Sequence, residues 1–89
     1  MADLKVLKLI TNEEVIARVE EKRDILELTS PMVMMQVNQG GQMGFAIMPW
    51  SMSGKCDKVE ISQSIVIATL DPMDEVEKNY IQATTGITV

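Results

Sequence analysis

Hydrophobic and polar residues alternate along much of the first seventy positions of this chain. Within Glu14–Lys22, the apolar residues Val15, Ala17 and Val19 fall on one side of an extended backbone. A repeat of two is typical of a half-buried β-strand, because successive side chains of a strand point to opposite faces. Further extended segments are predicted at 4–10, 25–29, 33–37, 43–50, 59–62 and 65–70. The pattern therefore predicts a β-meander of about five strands.

Short polar segments separate the predicted strands. Asn38–Gln42 contains two adjacent glycines, which supply the positive φ angles that a tight hairpin needs. The segments 22–24 and 62–64 are expected to form two further polar turns. Pro31 cannot donate a hydrogen bond to a neighbouring strand, so we expect the third strand to be kinked or interrupted there.

The last part of the chain carries helix signals. Asp71 is a good N-cap, Pro72 suits the first helical position, and Gly86 follows the expected end. An apolar stripe recurs at intervals of three and four residues, at Met73, Val76, Tyr80 and Ala83. The sequence therefore predicts a single domain over residues 1–89, with strands in 4–70 and a C-terminal helix over 71–86.

Composition narrows the functional classes. The chain has 89 residues and a net charge of −5. Residues 1–70 hold nine acidic and seven basic residues, whereas 71–89 hold four acidic and one basic. A strongly basic surface, the usual sign of nucleic-acid binding, is therefore missing. The sequence shows a single cysteine, no secretory signal and no membrane-spanning run. We therefore expect a cytoplasmic protein (in the host cell, if a phage encodes it) without a membrane partner.

Methionine is concentrated in one stretch. Six of the eight methionines lie in Ser30–Met52, and three uses compete: a soft-metal site, a core, or a surface that meets a partner. A metal site is disfavoured, because the chain has no histidine and alternation along a strand points neighbouring thioethers apart. Both faces of the predicted hairpin are apolar, so one can bury internally and the other must meet the helix or another subunit. Part of the hairpin is expected to be an interface; a wholly internal core is the alternative.

The last predicted strand forms an edge that needs a partner. Ile65–Leu70 contains no charge and no proline, the two features that often protect an exposed edge. Pairing with a neighbouring copy would cover it, and rotational symmetry closes such head-to-tail contacts into a ring. The expected subunit interface comprises Met43, Phe45, Ile47, Ile65, Val66 and Ile67.

The order of these segments resembles the Sm-like (LSm) family, and especially the small Sm-like proteins of phages. VLKLITNEEVIARVEEKRDILEL is similar to the first Sm motif, and GFAIM with VEISQSIVIATL is similar to the second. The resemblance covers residues 4–70 and implies a strongly bent five-stranded antiparallel barrel, here with a C-terminal helix. It also implies a homo-oligomeric ring of five to eight subunits, in which the fourth strand of one subunit pairs with the fifth of the next.

The same resemblance implies single-stranded RNA binding at the pore of the ring, and an RNA-binding or RNA-chaperone role. The family's RNA-binding loops correspond here to Lys22, Arg23, Asp24, Ser62, Gln63 and Ser64. This chain lacks the stacking residue and asparagine of the first loop, the Arg-Gly of the second, and the Lys-His pair of the bacterial branch. An Sm-like scaffold for protein–protein interaction without RNA binding is therefore the alternative, and a monomeric β-barrel of another kind is a third possibility.

Other candidate chemistry is weaker. Lys55 and Lys58 flank Cys56, but neighbouring acidic residues offset their charge. Trp50 could stack on a base, although sealing a core or an interface is the expected role of such a residue. Adjacent glutamates on a strand point to opposite faces, and no histidine is present as a base. We therefore expect no enzymatic activity, no cofactor and no metal site.

Overall fold

Six antiparallel strands and one helix account for most of the chain. The computed structural model describes residues 3–51, 54 and 57–85, apart from the side chains of Gln39 and Thr85. No helix in these ranges is long and apolar enough to cross a membrane. The elements are β1 (Asp3–Leu9), β2 (Glu14–Glu21), β3 (Ile25–Gln39), β4 (Gln42–Pro49), β5 (Lys58–Ser62), a 3-10 turn (Gln63–Ile65), β6 (Val66–Leu70) and α1 (Asp74–Thr85).

The strands form one sheet in the order β4-β3-β2-β1-β6, and β5 also pairs with β3. The 15-residue β3 has two partners on the edge opposite β2. Its first part pairs with β5, from Ile25 to Thr29, and its second part pairs with β4, from Met32 to Gln39. The predicted mainly β fold with a C-terminal helix is confirmed, but with six strands rather than five. In the described residues, no hydrogen-bonded pairing joins β6 to β4 or β5.

A bend divides β3 between its two partners. Ser30 has a φ of 51°, and the pairing of β2 with β3 shifts by one residue between Ile16 and Arg18. This is a β-bulge, in which one extra residue of β3 bends the strand. Pro31 follows directly and is buried. The predicted kink at Pro31 is therefore present, but β3 continues through it.

The face of the sheet that carries Leu7, Val15 and Leu28 is called the inner face here. Those three side chains are fully buried, although α1 packs on the opposite face. A sheet face can bury itself without a second layer only if the sheet curls, so that its strands cover one another. The inner core comprises Leu7, Leu9, Val15, Ala17, Leu26, Leu28 and Ile61, with Val19, Trp50, Val59, Ile65 and Val66 packed against it.

The outer face of the sheet is covered in part by α1. Val76 and Tyr80 of the helix are buried against Val6 and Ile16. Four residues of the β3–β4 hairpin pack at the margin of this outer core: Met32, Met34, Phe45 and Ile47. The other half of the predicted helical stripe is open to solvent, since Met73 is 74% exposed and Ala83 is exposed.

The helix begins later than the sequence predicts. We expected Asp71 to be the N-cap, but α1 begins at Asp74, and the Met73 carbonyl accepts the first helical hydrogen bond from the Glu77 amide. The Asp71 carboxylate instead forms an ion pair with Lys5 on β1. This long-range pair competes with capping for the same side chain. The predicted stop signal at Gly86 lies outside the described residues.

Candidate functional site at two adjoining turns

The two turns that the sequence singled out lie side by side. The first, 22–24, is closed by a hydrogen bond of 3.0 Å from the Lys22 amide to the Ile25 carbonyl oxygen. The second, 62–64, follows β5, which pairs with the start of β3 through Ile25 and Ser62. This pairing brings together two segments about forty residues apart in the chain. They are called the turn pair below.

Gln63 joins the two turns. Its side-chain amide donates to the carbonyl oxygens of Lys22, at 2.8 Å, and Ile25, at 3.4 Å. Its backbone amide donates to the carbonyl oxygen of Asp24, at 3.3 Å. Three contacts from one residue therefore hold the first turn in place. We call these three contacts the Gln63 clasp, because they join the second turn to the backbone of the first.

Two serine hydroxyls shape the second turn. The Ser62 hydroxyl accepts a hydrogen bond from the Ser64 amide at 3.2 Å and lies 2.8 Å from the Ser64 hydroxyl. A serine in this position satisfies an amide at the start of a helical turn that would otherwise lack a partner. Both serines are exposed. The turn therefore presents two hydroxyls that can also bond to a ligand.

Charges at the turn pair are largely compensated. The Lys22 ammonium lies 3.0 Å from a carboxylate oxygen of Glu27. This hydrogen bond raises the pKa of Lys22 and lowers the pKa of Glu27 from their ordinary values. Glu27 also lies directly opposite Glu20 on β2 and Glu60 on β5. The Lys58 ammonium lies 4.0 Å from the other carboxylate oxygen of Glu27. The surface beside the first turn is therefore a row of three glutamates whose central member pairs with two lysines.

Arg23 and Asp24 differ from Lys22. Both are exposed, and neither side chain forms an ion pair with any part of the chain that the structure describes. A guanidinium has five donors in a planar fork that matches a phosphate. The structure thus brings all six predicted RNA-site residues together. Arg23 has the free cation, whereas Lys22 and Gln63 are engaged within the protein.

The predicted interface residues divide between the two faces. Phe45 and Ile47 lie on the outer face, where they pack at the margin of the helix core. Met43 lies on the same face near the hairpin tip and is 66% exposed. At the other end of the sheet, Ile65 and Val66 pack against the inner core. Ile67 is 61% exposed.

Trp50 lies where β4 ends. Its indole Nε1 donates to a carboxylate oxygen of Glu13 at 3.2 Å, and its ring packs against the inner core. It therefore covers part of the core, as the sequence favoured over a stacking role. Lys55 and Cys56 lie outside the described residues.

Glu27 is the residue at this site that the sequence did not single out. The sequence pattern gave only a weak signal for Glu27, because it is one of several polar positions in an alternating strand. Its pairing with Lys22 depends on the register of β2 against β3.

No protein-family model matches the sequence, and no curated protein is significantly similar to it. Function must therefore be inferred from the fold and the turn pair themselves.

Proposed function

We propose that this chain is an Sm-like protein that assembles into a homo-oligomeric ring and contacts single-stranded RNA at the turn pair. The observation that carries the proposal is the clasp made by Gln63. It holds 22–24 against 62–64, and these are the two segments that correspond to the RNA-binding loops of the Sm-like family. If the resemblance of these two segments to the family's loops were a coincidence, there would be no reason for the segments to lie side by side in the fold.

The strand order supports the Sm-like barrel. In this proposal β4 and β5 together take the place of the family's fourth strand, since both pair with β3 along one edge. β6 takes the place of the fifth, beside β1. The self-covered inner core is what a strongly bent sheet would produce. The outer edges of β4, β5 and β6 are then available for head-to-tail pairing in a ring of five to eight subunits.

The side chains at the turn pair favour a particular kind of RNA contact. Arg23 would bind a phosphate, and the hydroxyls of Ser62 and Ser64 would bond to phosphate or ribose oxygens. The turn pair contains no aromatic residue, so base stacking contributes nothing there. Binding would therefore be sensitive to salt and nearly independent of base sequence.

RNA titration tests the proposal directly. We expect oligo(U) and oligo(A) to bind with similar affinity at low salt, and Arg23→Glu to weaken both by about tenfold or more, because each subunit of a ring contributes one such contact. Lys78→Glu is the matched control: it makes the same change in charge at an exposed position on α1. Adding Lys22→Glu to Arg23→Glu should abolish binding and leave the mass of the ring unchanged.

Two results would contradict the RNA contact. One is an affinity that Arg23→Glu leaves unchanged. The other is an equal loss with Lys78→Glu, which would show that only overall charge matters. Solution mass from light scattering, measured across protein concentration, tests the ring separately, since a stable monomer would exclude it.

A protein-interaction scaffold is the second candidate function. The specific observation in its favour is the row of Glu20, Glu27 and Glu60, which holds Lys22 and leaves little net positive charge beside the turn pair. Such a surface repels phosphate. A ring that fails to bind RNA at low salt, but retains a protein partner whose binding depends on these glutamates, would favour the scaffold.

A further inference from the structure

One end of the sheet carries an apolar face that the described chain does not cover. β2 pairs with β3 no further than Met34, so residues 35–46 extend beyond it as a two-stranded arm. The register places one set of side chains on the inner face of this hairpin: Val33, Met35, Val37, Gly44, Ala46 and Met48. All six are apolar. Met35 is 48% exposed and Met48 is 38% exposed. These six residues are called the inner arm face.

This face is continuous with the inner core of the protein. Val33 lies directly opposite Val15, which is fully buried in that core. α1 lies on the other side of the sheet, against Phe45 and Ile47. The helix therefore cannot cover the inner arm face without leaving its own site.

The opposite end of the sheet has a cleft on the same side. It has a volume of about 250 Å³ and lies beside β6, where Ile67 is 61% exposed. Ile67 falls at a register shift between β6 and β1, so it is the extra residue of a bulge. The cleft is lined by Glu21, Leu26, Gln63, Val66, Ile67, Ala68 and Thr69. Leu26 and Val66 belong to the inner core or pack against it. This opening is called the β6 cleft.

The two ends are matched in charge. Residues 28–54, which include the arm, contain no charged residue, and neither do residues 61–70, which include β6. Among the residues named for the two surfaces, Glu21 of the β6 cleft alone carries a charge, so a strongly charged partner would find little counter-charge. A lipid surface is also a poor match, because three exposed amide residues, Gln36, Asn38 and Gln42, lie at or near the arm tip. The β6 end of a second copy, with Glu21 as the one charged residue lining its cleft, matches the uncharged arm, and methionine adapts readily to an irregular cleft.

We propose that the inner arm face of one copy packs into the β6 cleft of the next, with Met35 and Met48 against Ile67. This inference rests on the proposed ring and specifies which face of the hairpin meets the neighbour. A standard interface buries about 800 Å² on each partner. Two such contacts on each subunit would cover about a quarter of the 6205 Å² surface of the chain. The packing of the arm and the pairing of the strand edges both contribute to that area.

Charge substitutions on the two faces of the arm separate this contact from other interfaces. Met35→Glu places a carboxylate on the inner arm face, whereas Gln36→Glu places one on the outer face of the same arm, at an exposed residue outside the expected subunit interface. We expect Met35→Glu to raise the concentration of half-dissociation by about tenfold or more, because burial of an unpaired charge is costly. Gln36→Glu should leave it unchanged. The reverse pattern would overturn the proposal.

Cross-linking tests the named contact in the assembled protein. Met48→Cys and Ile67→Cys are introduced singly and together in a Cys56→Ser background, and a short bismaleimide is added. The double variant should give a ladder of covalent multimers. Each single variant alone should give none, and the two single variants refolded together should give covalent dimers. These results are the signature of a head-to-tail contact.

The remaining outcomes each overturn the inference. Cross-linking of Met48→Cys with itself would show a like-with-like contact. A ring-sized mass without cross-links would place the inner arm face outside the interface, while the proposed ring would stand. A monomeric mass for the unmodified protein would exclude the ring as well, so the failures of the two proposals are distinguishable.

Discussion

The hydroxyl oxygen of Tyr80 lies 2.9 Å from the carbonyl oxygen of Ser30, fifty residues earlier in the chain. It lies 3.1 Å from the carbonyl oxygen of Thr29 as well. These two carbonyls flank the bulge in β3, where the strand leaves β5 and continues beside β4. The helix α1 therefore contributes more than apolar burial, because its buried tyrosine also binds the backbone at the bend. Burial raises the pKa of the Tyr80 hydroxyl, so it remains a donor at neutral pH.

Removal of this hydroxyl should destabilise the fold without displacing the helix. Tyr80→Phe keeps the ring in the outer core but leaves the Thr29 and Ser30 carbonyls without this donor. We expect the free energy of unfolding to fall by about 1–2 kcal/mol. Urea denaturation followed by Trp50 fluorescence, at one fixed protein concentration, measures this change. The control, Met73→Ala, alters an exposed residue near the start of α1 and should stay within about 0.5 kcal/mol. Equal stabilities for Tyr80→Phe and the unmodified protein would show that the contact contributes nothing.

A second prediction concerns the positive φ angle of Ser30. Ser30 has a φ of 51°, which glycine adopts readily and a β-branched residue adopts at a high cost. Both Ser30→Gly and Ser30→Val keep the backbone amide that donates to the Asp57 carbonyl. We expect Ser30→Val to be less stable than Ser30→Gly by about 2 kcal/mol in chemical denaturation. If the two variants unfold at the same denaturant concentration, the bend does not depend on this conformation.

The clasp at the turn pair depends on a donor at Gln63. Gln63→Glu would place carboxylate oxygens against the carbonyl oxygens of Lys22 and Ile25, whereas Gln63→Ala only removes the contacts. We expect a loss of about 1 kcal/mol for Gln63→Ala and a greater loss for Gln63→Glu. Amide hydrogen exchange of the 22–25 segment should become faster in both variants. Exchange that stays at its original rate would mean that β3–β5 pairing alone holds the first turn.

Glu27 makes the stability of the protein depend on pH in acid. Its pKa is lowered chiefly by the hydrogen bond from Lys22, so the folded state favours the carboxylate more than the unfolded state does. This contribution is present above the ordinary pKa of glutamate and is lost as the pH falls through the lowered value. Between about pH 5.5 and pH 3, the unmodified protein should therefore lose more stability than Glu27→Gln.

The measurement is the urea midpoint at several pH values. Glu75→Gln, an exposed glutamate on α1, serves as the control and should follow the unmodified protein. If Glu27→Gln shows the same slope as Glu75→Gln, the pair with Lys22 does not affect acid stability.

Much of the fold was visible in local patterns. The alternation in Glu14–Lys22 predicted β2, and Gly40 and Gly41 both have positive φ angles at the predicted hairpin turn. The C-terminal helix was also predicted correctly, and Val76 and Tyr80 of its predicted apolar stripe are buried. Its start was wrong by three residues, because Asp71 pairs with Lys5, 66 residues away. No local pattern shows that competition.

The turn pair shows a similar limit. The resemblance to the Sm-like family implied the six residues, yet only the register of β5 against β3 decides that Gln63 reaches Lys22 and Ile25. The pairing of Lys22 with Glu27 had only a weak signal in the sequence, because Glu27 is one of several polar positions in an alternating strand. An ion pair depends on where two side chains lie in space, and spacing along the chain does not determine that.

By itself, the sequence determined which residues prefer strand, turn or helix, because those preferences arise from side-chain shape and backbone freedom within a few residues. It also determined that both hairpin faces would be apolar and that the arm and β6 would carry no charge. Only the tertiary structure decided which face α1 covers and which face stays open. That choice depends on contacts between residues far apart in the chain, such as Tyr80 with Ser30, and these form only when the whole sheet has bent.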